Sequence, residues 1–263
     1  MLKHQFLNSD RFKIYNTTHG WFYTDTLEQY NKVKDNPQVQ YNPGEVVYKF
    51  NNRGFRCDDF SNWKNHPIRI LFAGCSETEG VGIPLEKTWA KLFHNMLCDQ
   101  LGPIPFWSIA HSGASMDHLV KHLYLEGNEL RPQIVISLLP RFERRERWSE
   151  DHWGPWLTYT KEDKNTAKIF LKEEYIRYQT EKNLSFIDLL MNRWDSLFLY
   201  SKIDSDYDLS NITFSKFKNV DHRLEFIDLG RDGWHAGPES NKLFAERMFN
   251  DFYPYIREKL NDS

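Results

Sequence analysis

Three residues of this 263-residue chain have types and surroundings suited to acyl chemistry: Ser76, Asp232 and His235. Ser76 follows the run Ile68-Arg69-Ile70-Leu71-Phe72-Ala73-Gly74-Cys75, a buried-strand pattern that enters a small-residue turn and then a helix. A serine at the carboxyl end of a strand in an open parallel sheet stands at the edge where ligands bind. Its hydroxyl is a poor nucleophile until a neighbouring base takes its proton. Asp232-Gly233-Trp234-His235 offers that base in a loop near the other end of the chain. A carboxylate three residues before a histidine, on one turn of loop, can hold the imidazole tautomer while the other ring nitrogen faces the serine. Taken singly, each has a plainer reading: Ser76 as a helix N-cap, His235 as a surface or packed histidine.

The elements that must position these residues are legible from periodicity. Gln133 to Leu139 reads as a buried parallel strand, Pro105 to Ala110 as a shorter strand, and Trp89, Leu92, Phe93, Met96 and Leu97 recur at helical spacing within 85–100. A second helix follows Ser115, which is placed to cap it. Repeated strand-turn-helix units predict an α/β fold, a doubly wound, flavodoxin-like parallel sheet with helices on both faces. Further helices are expected over 26–35, 167–181, 185–200 and from Ser240 onward, and further strands over 46–50 and 223–229. Residues 1–65 read as an N-terminal extension packing on a main domain of 66–263, with an insert at 141–222. The stretch 204–218 is polar and turn-rich.

These motifs, in this order, resemble the SGNH hydrolases, also called the GDSL lipase/esterase family, over roughly residues 50 to 250. Gly74-Cys75-Ser76 matches the family's Gly-Asp-Ser and Asp232 to His235 its Asp-x-x-His, while Asn51 to Arg56 and Val81 to Pro84 resemble a branch that includes sugar O-acetyl esterases and transferases. The resemblance implies that Ser76 is the nucleophile, His235 the base and Asp232 its orienting partner. It implies an oxyanion hole built from the backbone N–H groups of Ser76 and Gly113. The family's third block should supply an asparagine donor, but here Phe142 occupies that position. Arg141 and Arg144 are the nearest residues able to substitute, because a guanidinium is always charged and reaches several ångströms from its backbone. Cys75 is a rival to Ser76 in type alone, since adjacent residues in an extended turn point in different directions.

Arg53 or Arg56 is a candidate substrate contact by the same resemblance, against the alternative of surface pairing with Asp58 or Asp59. Arg144, Trp148, Trp153 and Trp156 lie in a stretch dense in charge and tryptophan just downstream of a strand's carboxyl end, where loops form active-site walls. That arginine run also fits a solvated, self-paired face. Aromatic residues make up 16% of the chain, with nine tryptophans. Exposed tryptophan and tyrosine suit sugar rings, because an apolar face and a polar edge match those of a pyranose.

The net charge is -3 with both signs mixed along the chain, so no nucleic-acid-binding face is advertised. Three cysteines, Cys57, Cys75 and Cys98, lack metal-ligand spacing and cannot all pair. No signal peptide or membrane span is visible, which predicts a soluble chain without membrane insertion, cytoplasmic or associated with a virion. The expected function is a serine esterase or acyl-transfer enzyme, needing no cofactor, that removes or transfers O-acyl groups on a small-molecule or glycan ester. The alternative is a glycan-binding or structural module of the same fold with weak or no catalysis.

Overall fold

Alternation along the strands sorts the core onto two faces of one sheet. In the computed structural model, which describes residues 14–148, 153–156, 172–203 and 214–261, the central strands are β3 (Ile70–Ala73), β4 (Trp107–Ser108), β5 (Ile134–Leu139), β8 (Leu197–Lys202) and β9 (Phe217–Asn219). They run parallel in the order β4-β3-β5-β8-β9. Leu71, Ala73, Val135, Leu139, Phe198 and Tyr200 point to one face, where they pack with Met116 and Leu119 of helix α4 (Met116–His122) and Ile187 and Met191 of helix α5 (Glu173–Trp194). Ile70, Phe72, Ile134, Ile136, Leu138 and Leu199 point to the other, against Trp89 and Phe93 of α3 (Trp89–Leu101) and Phe244, Met248 and Phe252 of α6 (Pro238–Asn261). Burial on both faces is why these strands read as near-continuous apolar runs.

Counting only the central strands, the order is 2-1-3-4-5, the doubly wound order expected. The chain leaves β3 in one direction through α3 and crosses back over the other face through α4. The loops after β3 and β5 therefore diverge, and they open a crevice at the sheet's carboxyl edge. Ser76 lies just beyond β3 and Arg141 just beyond β5.

Three sequence expectations need correction. The helix predicted over 185–200 ends at Trp194, where Asp195 adopts a left-handed conformation (φ 53°); the helix candidates of 167–181 and 185–200 contribute to one helix, α5, and Leu197–Lys202 is a central strand. The stretch 223–229 is not a strand of the sheet. The edge beside β8 is taken by Phe217–Asn219, and Leu229 makes only isolated bridges with Val39 and Ala236. Asp228 instead caps α6, with Oδ1 accepting from the Ser240 N–H at 2.9 Å and Oδ2 from the Glu239 N–H at 3.1 Å. The span 141–222 is accordingly not one insert, since α5, β8 and β9 belong to the central fold. Of the polar stretch 204–218, residues 204–213 lie outside the described residues.

The described part of the extension carries β1 (Thr18–His19), paired antiparallel with β2 (Tyr48–Lys49), and α1 (Leu27–Val33). Arg231, fully buried beside Asp232, holds the extension down. Its guanidinium donates to Asp25 through Nε at 2.9 Å and Nη2 at 2.7 Å, and stacks 4.0 Å over the Trp21 ring. The Asp25 carboxylate also accepts from the Tyr48 hydroxyl, whose oxygen in turn accepts the Gly82 N–H at 2.8 Å.

Candidate active site

Ser76 is the first residue of α2 (Ser76–Glu79), a single turn that starts directly behind β3. Its N–H therefore has no intrahelical acceptor. The turn fits because Gly74 has no side chain: a Cβ there would lie 2.2 Å from Thr78 Oγ1 and 2.9 Å from the Leu138 carbonyl oxygen. Arg56 closes the far end. Buried, it donates through Nη1 to the carbonyls of Glu79 (3.1 Å) and Gly80 (2.6 Å) and through Nη2 to those of Val47 and Ile83 (3.0 Å each).

The Asp232 and His235 pair forms as the spacing predicts. His235 Nδ1 is 2.6 Å from Asp232 Oδ2, which leaves Nε2 as the ring nitrogen able to take a proton. Asp232 Oδ1 accepts the backbone N–H groups of Trp234 (3.1 Å) and His235 (3.2 Å), and Thr24, from the extension, donates to Oδ2 at 2.7 Å. Burial alone would raise the Asp232 carboxyl, but the His235 hydrogen bond and charge with the Thr24 hydroxyl outweigh it and hold the carboxyl below its usual value. For His235, burial works to lower the imidazole; the charge of Glu77 and the bond to Asp232 win, and its pKa is raised despite opposition from Arg144.

Ser76 and His235 line one cleft of about 410 Å³, together with Tyr23, Thr24, Glu77, Arg141, Arg144, Ile203, Phe226 and Trp234. Among the described residues the two are not hydrogen-bonded to each other, and catalytic hydrogen bonds of this kind commonly tighten only around substrate. Cys75 is completely buried, and burial pushes its thiol up, so it offers neither access nor thiolate.

The remaining sequence candidates separate. Gly113 is buried in the turn after β4 with φ 74° and is not among the residues lining the cleft. Arg144 lines the cleft and approaches the same turn, its Nη1 lying 3.5 Å from the Ala114 carbonyl oxygen. Arg141 also lines the cleft, half-exposed and 3.9 Å from Glu143. Arg53 is elsewhere: it pairs with Glu126 and, at 2.7 Å, with Glu129, outside the cleft lining. Trp148 and Trp153 belong by backbone to a two-stranded ribbon of β6 (Arg145–Trp148) and β7 (Trp153–Trp156), and their side chains, with that of Trp156, lie outside the described residues.

Phe142 explains its own departure from the family pattern. It is 1% exposed and packs in the core cluster with Ala73, Leu139 and Met116, so position 142 does not face the cleft. Phe142→Asn is therefore expected to leave ester turnover without gain and to cost about 3–5 kcal/mol of stability, because a buried ring is lost and an amide is placed among apolar groups. Urea melts beside rate measurements check this; a many-fold faster, stably folded variant would show that position 142 reaches the oxyanion.

The sequence reading missed Glu77, Thr24, Tyr23, Phe226 and Trp234. For Glu77 a signal existed: two acidic residues, Glu77 and Glu79, stand in a small-residue turn directly behind an apolar strand. Trp234 is 61% exposed although large and apolar, and Phe226 is 48% exposed, so an aromatic rim stands at the cleft.

No protein-family model matches the sequence, and no curated protein matches it. Among the described residues, no helix is long and apolar enough to cross a membrane. Among solved structures, the chain is similar to a family 3 carbohydrate esterase of Clostridium thermocellum (14% identity, 73% of this chain and 98% of the other, TM-score 0.47). It is similar also to the psychrotrophic esterase EstA of Pseudoalteromonas sp. (13% identity, 72% and 98%, TM-score 0.47). A third is a member of the lipolytic protein G-D-S-L family from Veillonella parvula (13% identity, 71% and 98%, TM-score 0.44).

Proposed function

We propose that this chain is a serine hydrolase of the SGNH type acting on carboxylic esters, and that its substrates are O-acylated carbohydrates. The observation that carries the reading is the 2.6 Å Asp232–His235 contact set into the same cleft as Ser76 at the head of α2. His235 Nε2 takes the Ser76 hydroxyl proton as Oγ attacks the ester carbonyl, and Asp232 stabilises the imidazolium that results. The oxyanion is received by the Ser76 N–H, with the Gly113 N–H assigned by resemblance to the family. Of the two arginines, Arg144 is the better placed third donor, because it lies against the Gly113 turn while Arg141 is half-exposed beside Glu143. The proton returns to the leaving alcohol, and water or a second hydroxyl then attacks the acyl-serine.

Carbohydrate is favoured by the exposed Trp234 and Phe226 beside the nucleophile, with charged Arg141 and Arg144 on the cleft wall. Sugar rings stack on such faces and hydrogen-bond to such heads. A fluorophosphonate should label Ser76, and Trp234→Ala should lower kcat/KM on acetylated glycans about tenfold while sparing p-nitrophenyl acetate, because remote contacts add binding to the large substrate only. Labelling at Cys75, or no labelling of folded protein, overturns the hydrolase reading; equal losses on both esters overturn the carbohydrate reading. Glycan binding with no turnover would instead support a binding module.

A further inference from the structure

We infer that Glu77 is a positioning residue of this site: its carboxylate ties the helix bearing Ser76 to the loop bearing His235 and lays a second negative charge against the imidazole. The inference rests on the proposed catalytic set. Glu77 follows Ser76 directly on α2 and lines the same cleft. Its Oε2 accepts the backbone N–H of Ala236 at 3.3 Å, and Ala236 is the residue after His235. One side chain therefore connects the two segments whose separation sets the serine-to-imidazole distance, although those segments are more than 150 residues apart in sequence.

Charge makes this more than a tether. A glutamine of the same shape could accept the same N–H, so a carboxylate here is an expensive choice. Burial drives the Glu77 carboxyl upward, Asp232 adds to that, and His235, the Ala236 N–H and Arg144 pull against it. The groups acting on the imidazole are the anionic Glu77 and Asp232 and the cationic Arg144. Asp232 holds Nδ1, and Glu77 is bonded one residue further along the same loop, at the Ala236 N–H. The imidazolium that forms as Ser76 loses its proton is stabilised by both, and His235 is a stronger base that becomes neutral only at higher pH. Glu77 and His235 are coupled, so their midpoints belong to the pair.

The test is a histidine ring titration by heteronuclear NMR on the whole chain, wild type against Glu77→Gln, with His235→Ala to assign the signal. Removing the charge while retaining the acceptor should lower the His235 midpoint by about one pH unit. The acid limb of kcat/KM should move by the same amount, and Glu77→Ala, which also loses the tether, should lower kcat further than Glu77→Gln. An unchanged His235 midpoint in folded Glu77→Gln overturns the inference. Should that variant not fold, the wild-type Glu77 carboxyl carbon gives the answer, because it must register the His235 titration, and a signal blind to it overturns the inference equally. A shifted midpoint in a chain that turns over no ester would sink the proposed function and leave this coupling standing; ester turnover with an unmoved midpoint would do the reverse.

Discussion

Ser76→Ala is expected to reduce ester turnover by at least about a thousand-fold, with fluorophosphonate labelling lost and the fold intact. The physical reason is that every chemical step passes through Oγ, whereas the hydroxyl contributes little to packing at the head of a one-turn helix. His235→Ala should produce a loss of similar size, since the serine without its base keeps its proton. The same reading fixes the sign of the pH dependence. Catalysis needs neutral imidazole, and the His235 pKa lies above its ordinary value because Glu77 and Asp232 overcome the effect of burial. The rate should therefore climb with pH through a midpoint raised from the ordinary imidazole value and reach a plateau on the alkaline side. A rate that is flat across that range, or a Ser76→Ala enzyme with wild-type turnover, would exclude the proposed base and nucleophile respectively.

Arg231→Ala is expected to have the largest effect on stability. Arg231 and Asp25 are both fully buried and paired at 2.7 Å, and removing one partner strands the other charge away from water at about 3–5 kcal/mol. For a domain of this size that corresponds to roughly 6–20 °C in Tm. Because Arg231 directly precedes Asp232 and Thr24 of the extension donates to Asp232, the loss should spread to the Asp232–His235 loop and lower kcat in whatever protein remains folded. Arg231→Lys retains a charge but not the two-pronged geometry, and should recover only part of the stability. A thermal melt of Arg231→Ala that matches wild type would show that the extension is not held through this pair.

Gly74-Cys75-Ser76 behind an apolar run and Asp232 three residues before His235 are local patterns, and both were legible. Strand alternation and helical spacing are set by local geometry and by which faces are buried, so β3, β5, α3 and the parallel, doubly wound sheet followed from the residues alone. Short-range pattern misled where an apolar run had two possible uses. Leu197 to Tyr200 fits a helix face or a buried strand equally well, and the left-handed turn at Asp195 together with a vacant place beside β5 made it β8. Leu224 to Leu229 reads as a strand, but β9 holds the sheet edge and Asp228 is engaged in capping α6.

What only the tertiary structure decided is which distant residues meet. Phe142 points into the core because the chain beyond β5 packs it against Ala73 and Leu139, so a motif position that reads as an oxyanion donor serves as packing. Arg53 and Arg56 look alike in sequence, yet one pairs with Glu126 and Glu129 while the other is buried among four backbone carbonyls. The sequence by itself determined the strand-turn-helix setting of Ser76 and the Asp232–His235 pair, since each is built from neighbours in the chain. The structure alone decided that Thr24 bonds to Asp232 and Glu77 to the Ala236 N–H, because these contacts span 208 and 159 residues and depend on how the extension and α2 pack against the last loop, which no local spacing encodes.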